Sequence, residues 1–298
     1  MITLNLDTND NIQEIMDEYS KDELLEIHLA PGIYYQKLRI SHHKLKLIGS
    51  FASESIIDYD DYNYKMHEDG LLYNTFRTPT LTILSNDVEL HQLSIRNSAG
   101  SGFTIGQAVA LAIYGNHTKI VSCHLLGHQD TLFIGPLPID LTIRYNEFLP
   151  LSEIQTLDTL SYFETCKIEG DVDFIFGSGC ALFQKCEIIA LNQGYICAPS
   201  TYETSQYGFV FVDCDIVSKS NSNDIYLARP WREYGSTIFY NCRFDGRFHK
   251  ERYHDWDKHN FCFIEHPYIT SPNSSELLWE DVKQLTVFID QTINCFTK

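Results

Sequence analysis

Short apolar runs alternate with polar residues along most of this chain, and helical spacing is confined to its two ends. Near the N-terminus Ile12, Ile15, Met16 and Tyr19 recur at helical spacing, with Asn9 and Asp10 ahead of them as candidate caps. Strands are expected over Glu26 to Leu29, Lys37 to Ile40, Lys44 to Ile48, Thr80 to Leu84 and Val88 to Ile95, with Pro31-Gly32 turning the chain after the first. A second terminal helix is expected from Ser275 to Leu285, where Leu277, Leu278, Val282 and Leu285 share a face.

A repeat runs through the middle. Five tetrads read polar, Cys, polar or charged, apolar: Ser122-Cys123-His124-Leu125, Thr165-Cys166-Lys167-Ile168, Lys185-Cys186-Glu187-Ile188, Asp213-Cys214-Asp215-Ile216 and Asn241-Cys242-Arg243-Phe244. Their cysteines are 43, 20, 28 and 28 residues apart, so a unit of 20 to 28 residues recurs. That period with strand-like runs predicts a solenoid, each unit one coil of a parallel β-helix, with equivalent residues stacked about 4.8 Å apart. The N-terminal helix would cover its open end. No Ser/Gly linker or charge block divides the 298 residues, which read as a single domain over 1–298. The repeated cysteine suits a small inward-facing thiol, with a disulfide ladder as the rival reading.

Composition narrows the partners. A net charge of −18 argues against a nucleic-acid surface and against adhesion to an anionic membrane. No run of 18 apolar residues is present, so no membrane helix is expected. The first residues lack a basic and then apolar leader, which predicts a cytoplasmic chain unless a leader has been removed. No CxxC pair or histidine spacing suggests a metal site, and no cofactor is expected.

Three motifs carry the chemistry: Gly127-His128-Gln129-Asp130-Thr131-Leu132-Phe133, Gly170-Asp171-Val172-Asp173-Phe174-Ile175-Phe176-Gly177 and Tyr226-Leu227-Ala228-Arg229-Pro230-Trp231. They supply two carboxylates, an amide, a guanidinium and an indole, a set suited to ester hydrolysis without serine, histidine or metal. Gln107 precedes Gln129 by 22 residues, one coil, so both amides can emerge on one face. Asp130 and Asp173 are 43 residues apart. The prolines between Ile134 and Leu157 favour one coil plus a long loop over two coils. Structural readings stand beside these. The aspartates could cap turns, Gln107 and Gln129 could form an amide ladder, Arg229 could be a surface ion-pair partner, and Trp231 could be core. Asp171, two residues before Asp173, would share its face on a strand, either tuning that carboxylate or lining the groove.

The chain resembles the pectin methylesterases, carbohydrate esterases with a right-handed parallel β-helix. The resemblance runs from about Ala30 to Glu265. It rests on Pro31-Gly32-Ile33-Tyr34-Tyr35, Gln107-Ala108-Val109-Ala110-Leu111, Gln129-Asp130-Thr131-Leu132, Val172-Asp173-Phe174-Ile175-Phe176-Gly177 and Leu227-Ala228-Arg229-Pro230-Trp231. The Gly135-Pro136-Leu137-Pro138 loop resembles a branch from Gram-positive bacteria. The resemblance implies an all-β solenoid with short terminal helices, acting as a monomer on methyl-esterified oligogalacturonide or pectin. It implies Asp173 as nucleophile, Asp130 as general acid/base, Gln129 and Gln107 as oxyanion donors, and Arg229, Trp231 and Thr75 as substrate-binding residues.

The chain departs from that pattern in three places. Ala228 replaces a glycine, the segment before Ala30 lacks the usual start, and Ile196-Cys197-Ala198-Pro199-Ser200 differs from the family's stretch. Rival functions are a polygalacturonase, a calcium-dependent lyase, or an inactive sugar-binding solenoid. The charge and the cysteines also suggest short imported oligomers as substrate.

Overall fold

The computed structural model describes residues 1–145, 149, 159–267 and 271–297. Each coil visits three sheets in turn. Leu25–Leu29 lies in the first, Gly32–Tyr35 in the second and Leu38–Ile40 in the third, before Lys46–Gly49 returns to pair in parallel with Leu25–Leu29. Repetition builds parallel sheets of ten, eight and seven strands among the described residues, wound as a right-handed parallel β-helix.

The tetrads now have a physical reading. Gln92, Ser122, Thr165, Lys185, Asp213 and Asn241 all have φ between +50° and +54°. Each forms the left-handed corner between the first and second sheets, and polar side chains occupy it facing water. The next residue turns inward: Leu93, Cys123, Cys166, Cys186 and Cys214 are buried, and Cys242 partly so. All nine cysteines are free, and the thiols of Cys166, Cys186, Cys214 and Cys242 contact carbonyls of the preceding coil, as Cys166 Sγ does Ile120 O at 3.3 Å. They form no disulfide ladder. The apolar fourth residues stack in register through Leu125, Ile168, Ile188, Ile216 and Phe244.

On the first sheet Phe163, Phe183, Phe211 and Phe239 occupy one row, with successive ring centroids 4.5, 4.5 and 4.8 Å apart and planes within 15°. The coil repeat forces these rings into parallel stacks, and their burial supplies much of the apolar core.

Four expectations need correction. The N-terminal helix, Ile12–Asp17, is capped by Asn11, whose side chain accepts from Glu14 N, rather than by Asn9 or Asp10. Its Ile12 and Met16 are fully buried at the first coil, as a cover for the open end requires. A strand, Ile2–Leu6, precedes it and pairs with Leu25–Leu29. The run Val88 to Ile95 is two strands, Glu89–His91 and Ser94–Asn97, split by the corner at Gln92. The C-terminal helix spans Trp279–Phe296, starting later and running further than Ser275 to Leu285. It is no short cap: Leu285 and Ile289 lie on the first sheet against Tyr162, Leu182 and Val210. The expected loop after Ile134 contains a helix, Ile139–Tyr145, while 146–148 and 150–158 lie outside the described residues.

Candidate active site

Leu132–Ile134 and Ile175–Gly177 are hydrogen-bonded neighbours on the third sheet, so Asp130 and Asp173 lie one coil apart with the long excursion between them. Both are corner residues entering that sheet, with φ of +64° and +51°. Both aspartates thus sit at turns between coils, and their carboxyl groups face a cleft. Asp130 N donates to Val172 O, and Ala108 N to Gln129 O, which brings Gln107, Gln129 and the two aspartates onto adjacent coils.

All seven residues proposed from the sequence line this one cleft of 310 Å³: Thr75, Gln107, Gln129, Asp130, Asp173, Arg229 and Trp231. Arg229 grips Asp173 with two parallel bonds, Nε to Oδ1 at 2.9 Å and Nη2 to Oδ2 at 2.5 Å. The guanidinium is itself held between two rings, 4.0 Å from the centroids of Tyr195 and Trp256. Arg229 is thus a half-buried clamp on a carboxylate lining the cleft rather than a surface ion-pair partner.

The two carboxyl groups have different surroundings. Burial raises the Asp173 pKa, and the hydrogen bonds and charge of Arg229 oppose that rise. Asp130 is pushed well above the ordinary carboxylate range, first by burial and then by the charge of Asp173, with only a longer-range pull from Arg229. When one proton is shared between them it resides on Asp130. That one-proton state sets an anionic carboxylate beside a protonated one, which is what a nucleophile and a proton donor require.

The amides are aimed by their neighbours. Gln107 Oε1 accepts from Asn63 Nδ2, so the Gln107 amide oxygen is engaged away from the aspartates and its NH₂ remains as donor. The bond from Asn63 stands where the rival reading had a Gln107–Gln129 ladder. Gln129 is backed by Gly102: a methyl there would lie 2.3 Å from Gln129 Cβ. Trp231 is half-buried, edge-on to Phe176 with centroids 5.8 Å apart, so it forms a wall of the cleft over the Phe76, Phe133 and Phe176 cluster. Ala228 points into the core, where its methyl is fully buried.

The charge of Asp171 acts on Asp130 rather than on Asp173. Asp171 lies in the turn before Asp173, not on a strand, and its side chain takes His128 Nδ1 at 3.1 Å. Asn63, Tyr195, Trp256 and the cleft-lining Arg144 and Tyr145 were missed by sequence reasoning. Tyr195 stacks on its register partner Tyr226 at 5.2 Å, a pairing the coil repeat could have revealed; the others lie in excursions without periodicity. Among the described residues no group of three or more His, Cys, Asp or Glu is arranged to hold a metal ion.

The family model described as Pectinesterase matches residues 5–136 and 154–269. "Pectinesterase QRT1" of Arabidopsis thaliana is 32% identical over 232 residues, 75% of this chain and 54% of that protein. The chain thus spans about half the length of that relative. The pectin methylesterase PemA from Erwinia chrysanthemi superimposes with a TM-score of 0.74 at 22% identity, over 95% of this chain and 94% of the other. A pectin methylesterase solved with a hexasaccharide gives a TM-score of 0.70 at 23% identity, over 88% and 86%. These likenesses at low identity bear on the fold.

Proposed function

The chain belongs to the pectinesterase family, and we propose that it hydrolyses methyl esters of galacturonate units, releasing methanol, with Asp173 as nucleophile. The observation that carries this reading is Asp173 gripped by Arg229 beside the more deeply buried Asp130 in one cleft. The hexasaccharide held by a protein of the same fold supports a sugar polymer as the occupant.

Asp173 attacks the ester carbonyl carbon, and the carbonyl electrons move onto oxygen. The NH₂ groups of Gln107 and Gln129 donate to that oxyanion. Collapse expels methoxide, which takes the Asp130 proton and leaves as methanol, and Asp173 is left as a mixed anhydride. Asp130, now ionised, takes a proton from water as its oxygen attacks the sugar acyl carbon. Asp173 departs as carboxylate, and Asp130 is again protonated. Ester and water become acid and methanol, with both aspartates restored. Trp231 and Thr75 hold the sugar.

Methanol release from highly methyl-esterified galacturonan, between about pH 5 and pH 9, is the test. Release by the wild type, lost in Asp173→Asn with the fold intact, is expected. No release by the wild type anywhere in that range sinks the reading, and loss with EDTA would redirect it to a metal-dependent enzyme.

We propose further that the enzyme works in a reducing, cytoplasmic compartment on short esterified oligomers. The nine free thiols and the −18 charge, which repels a product gaining an anion at each turnover, support this. A higher kcat/KM on polymer than on oligomers, or recovery of the protein from culture medium, would overturn it.

A further inference from the structure

Behind the cleft wall the turns that carry the two aspartates are joined by a second pair of side chains. His128 and Asp171 are 43 residues apart, as Asp130 and Asp173 are, so each turn carries one member of either pair two residues from the other. Backbone bonds lock the turns together: Asp171 N donates to His128 O at 3.0 Å and Asp130 N to Val172 O at 3.0 Å. Gly170 permits the approach, since a methyl there would lie 2.5 Å from His128 O. Within that frame His128 Nδ1 meets Asp171 Oδ2 at 3.1 Å, while Asp171 Oδ1 accepts from Val172 N at 2.8 Å. A carboxylate partner places a proton on Nδ1 and leaves Nε2 to titrate.

The two members differ in exposure. The Asp171 side chain is 7% exposed and is little screened by salt, whereas the His128 side chain is 35% exposed and exchanges protons with water. Among the described residues no lysine or arginine pairs with Asp171, so the state of His128 decides whether its charge is offset. The charges that face His128 are those of Asp171 and Glu169, and Glu169 is itself taken by Lys167 Nζ at 2.8 Å. Those that face Asp130 are Asp173, Arg229 and Asp171. The hydrogen bond to Asp171 raises the His128 pKa, and burial opposes that rise.

We propose that His128 is a positioning residue for the acid/base step: by offsetting or uncovering the charge of Asp171, it governs how firmly Asp130 keeps its proton. The inference rests on the esterase reading and deepens it. In acid the imidazolium offsets the Asp171 charge. As the pH rises His128 loses its proton, and the uncompensated Asp171 anion disfavours a further anion at Asp130. The proton that departing methoxide needs is thereby held further into alkaline pH than burial and Asp173 alone would hold it.

Three variants separate charge from structure. Asp171→Asn removes the anion but keeps an oxygen for Val172 N, His128→Lys holds a permanent cation against Asp171, and His128→Gln keeps a donor that never titrates. The readout is the pH profile of kcat/KM for methanol release from highly methyl-esterified galacturonan, whose alkaline limb reports Asp130 in the free enzyme. On that limb, kcat/KM relative to each protein's own optimum should be about threefold lower in Asp171→Asn and His128→Lys than in wild type, in keeping with one charge acting at the effective dielectric of a protein interior. His128→Gln should follow the wild type, whose imidazole is already neutral there. An unmoved limb in Asp171→Asn, or the same displacement in His128→Gln, overturns the proposal. A second arm needs no turnover: carbon-13 NMR of the aspartate carboxyl groups, with Asp130→Asn identifying the signal. Asp130 should titrate at lower pH in Asp171→Asn and His128→Lys than in wild type, and equal titration refutes the role of the pair. If the wild type releases no methanol, the esterase reading falls, and the NMR arm alone decides.

Discussion

The pairing of Asp173 with Arg229 can be measured by a double-mutant cycle. The perturbations are Asp173→Asn, Arg229→Met and the two combined. The pair makes two short parallel bonds, and its side chains are only 15% and 17% exposed, so solvent screens it little. Removing one member of a fully buried pair costs roughly 3–5 kcal/mol. Residual exposure, and the capacity of Asp173 to take up a proton once Arg229 is gone, bring the expected cost of each single change to about 2–3 kcal/mol. Arg229→Met also forfeits the stacking on Tyr195 and Trp256, roughly 0.5–1 kcal/mol per ring.

The double variant leaves no orphaned charge and should be no less stable than the worse single one, which gives a coupling of about 2 kcal/mol. Urea unfolding of the four proteins at neutral pH measures it. The coupling should shrink on acidification, because the pair requires an ionised carboxylate. Additivity within about 0.5 kcal/mol would refute the claim that Arg229 holds Asp173 ionised. Methanol release should be lost in every protein carrying Asp173→Asn, whatever its stability.

Other outcomes follow from the same geometry. Asp130 has a folded-state pKa well above its unfolded value, so the unfolded chain binds fewer protons between the two. Stability therefore falls as pH rises through that window. Asp130→Asn mimics the protonated acid, so its stability relative to wild type should be unchanged in acid and increasingly favourable as pH rises, by urea unfolding across pH; a pH-independent difference would exclude a raised Asp130. Gln129→Ala should lose roughly 10²–10³-fold in kcat with little change in KM, and a KM effect alone would remove it from the oxyanion site. Asp173→Ala should be about 1 kcal/mol less stable than Asp173→Asn in thermal or urea unfolding, because alanine tolerates the left-handed corner less well than asparagine; equal stabilities would mean the corner relaxes at no cost.

The solenoid was legible because coil stacking imposes one requirement again and again. An inward corner position next to a fixed turn calls for an apolar group, and Leu93, Cys123, Cys166, Cys186, Cys214 and Cys242 fill it. The same lattice made the Gln107 to Gln129 spacing meaningful. Where alternation alone was used, the reading blurred. Val88, Leu90, Leu93 and Ile95 are spaced two, three and two, and the three-residue step marks the corner at Gln92 that splits one expected strand into two. Asn63 and Trp256 lay beyond reach for a different reason. Each sits in an excursion outside the repeat, and Asn63 meets Gln107 across 44 residues of chain. No local pattern encodes such a contact.

The aspartates show why structural and chemical readings of one residue need not compete. On these two coils the corner into the third sheet takes positive φ, which Asp is among the few residues to tolerate. That corner also sets the level at which the chain enters the cleft wall, so a side chain chosen for the turn is delivered to the groove on successive coils. At Asp130 and Asp173 the fold therefore stacks two carboxyl groups with no element dedicated to holding them. What separates their roles is added from elsewhere: Arg229 from a later coil grips one, and burial without a close cation keeps the proton on the other. The lattice supplies proximity, and the asymmetry of the partners supplies the chemistry.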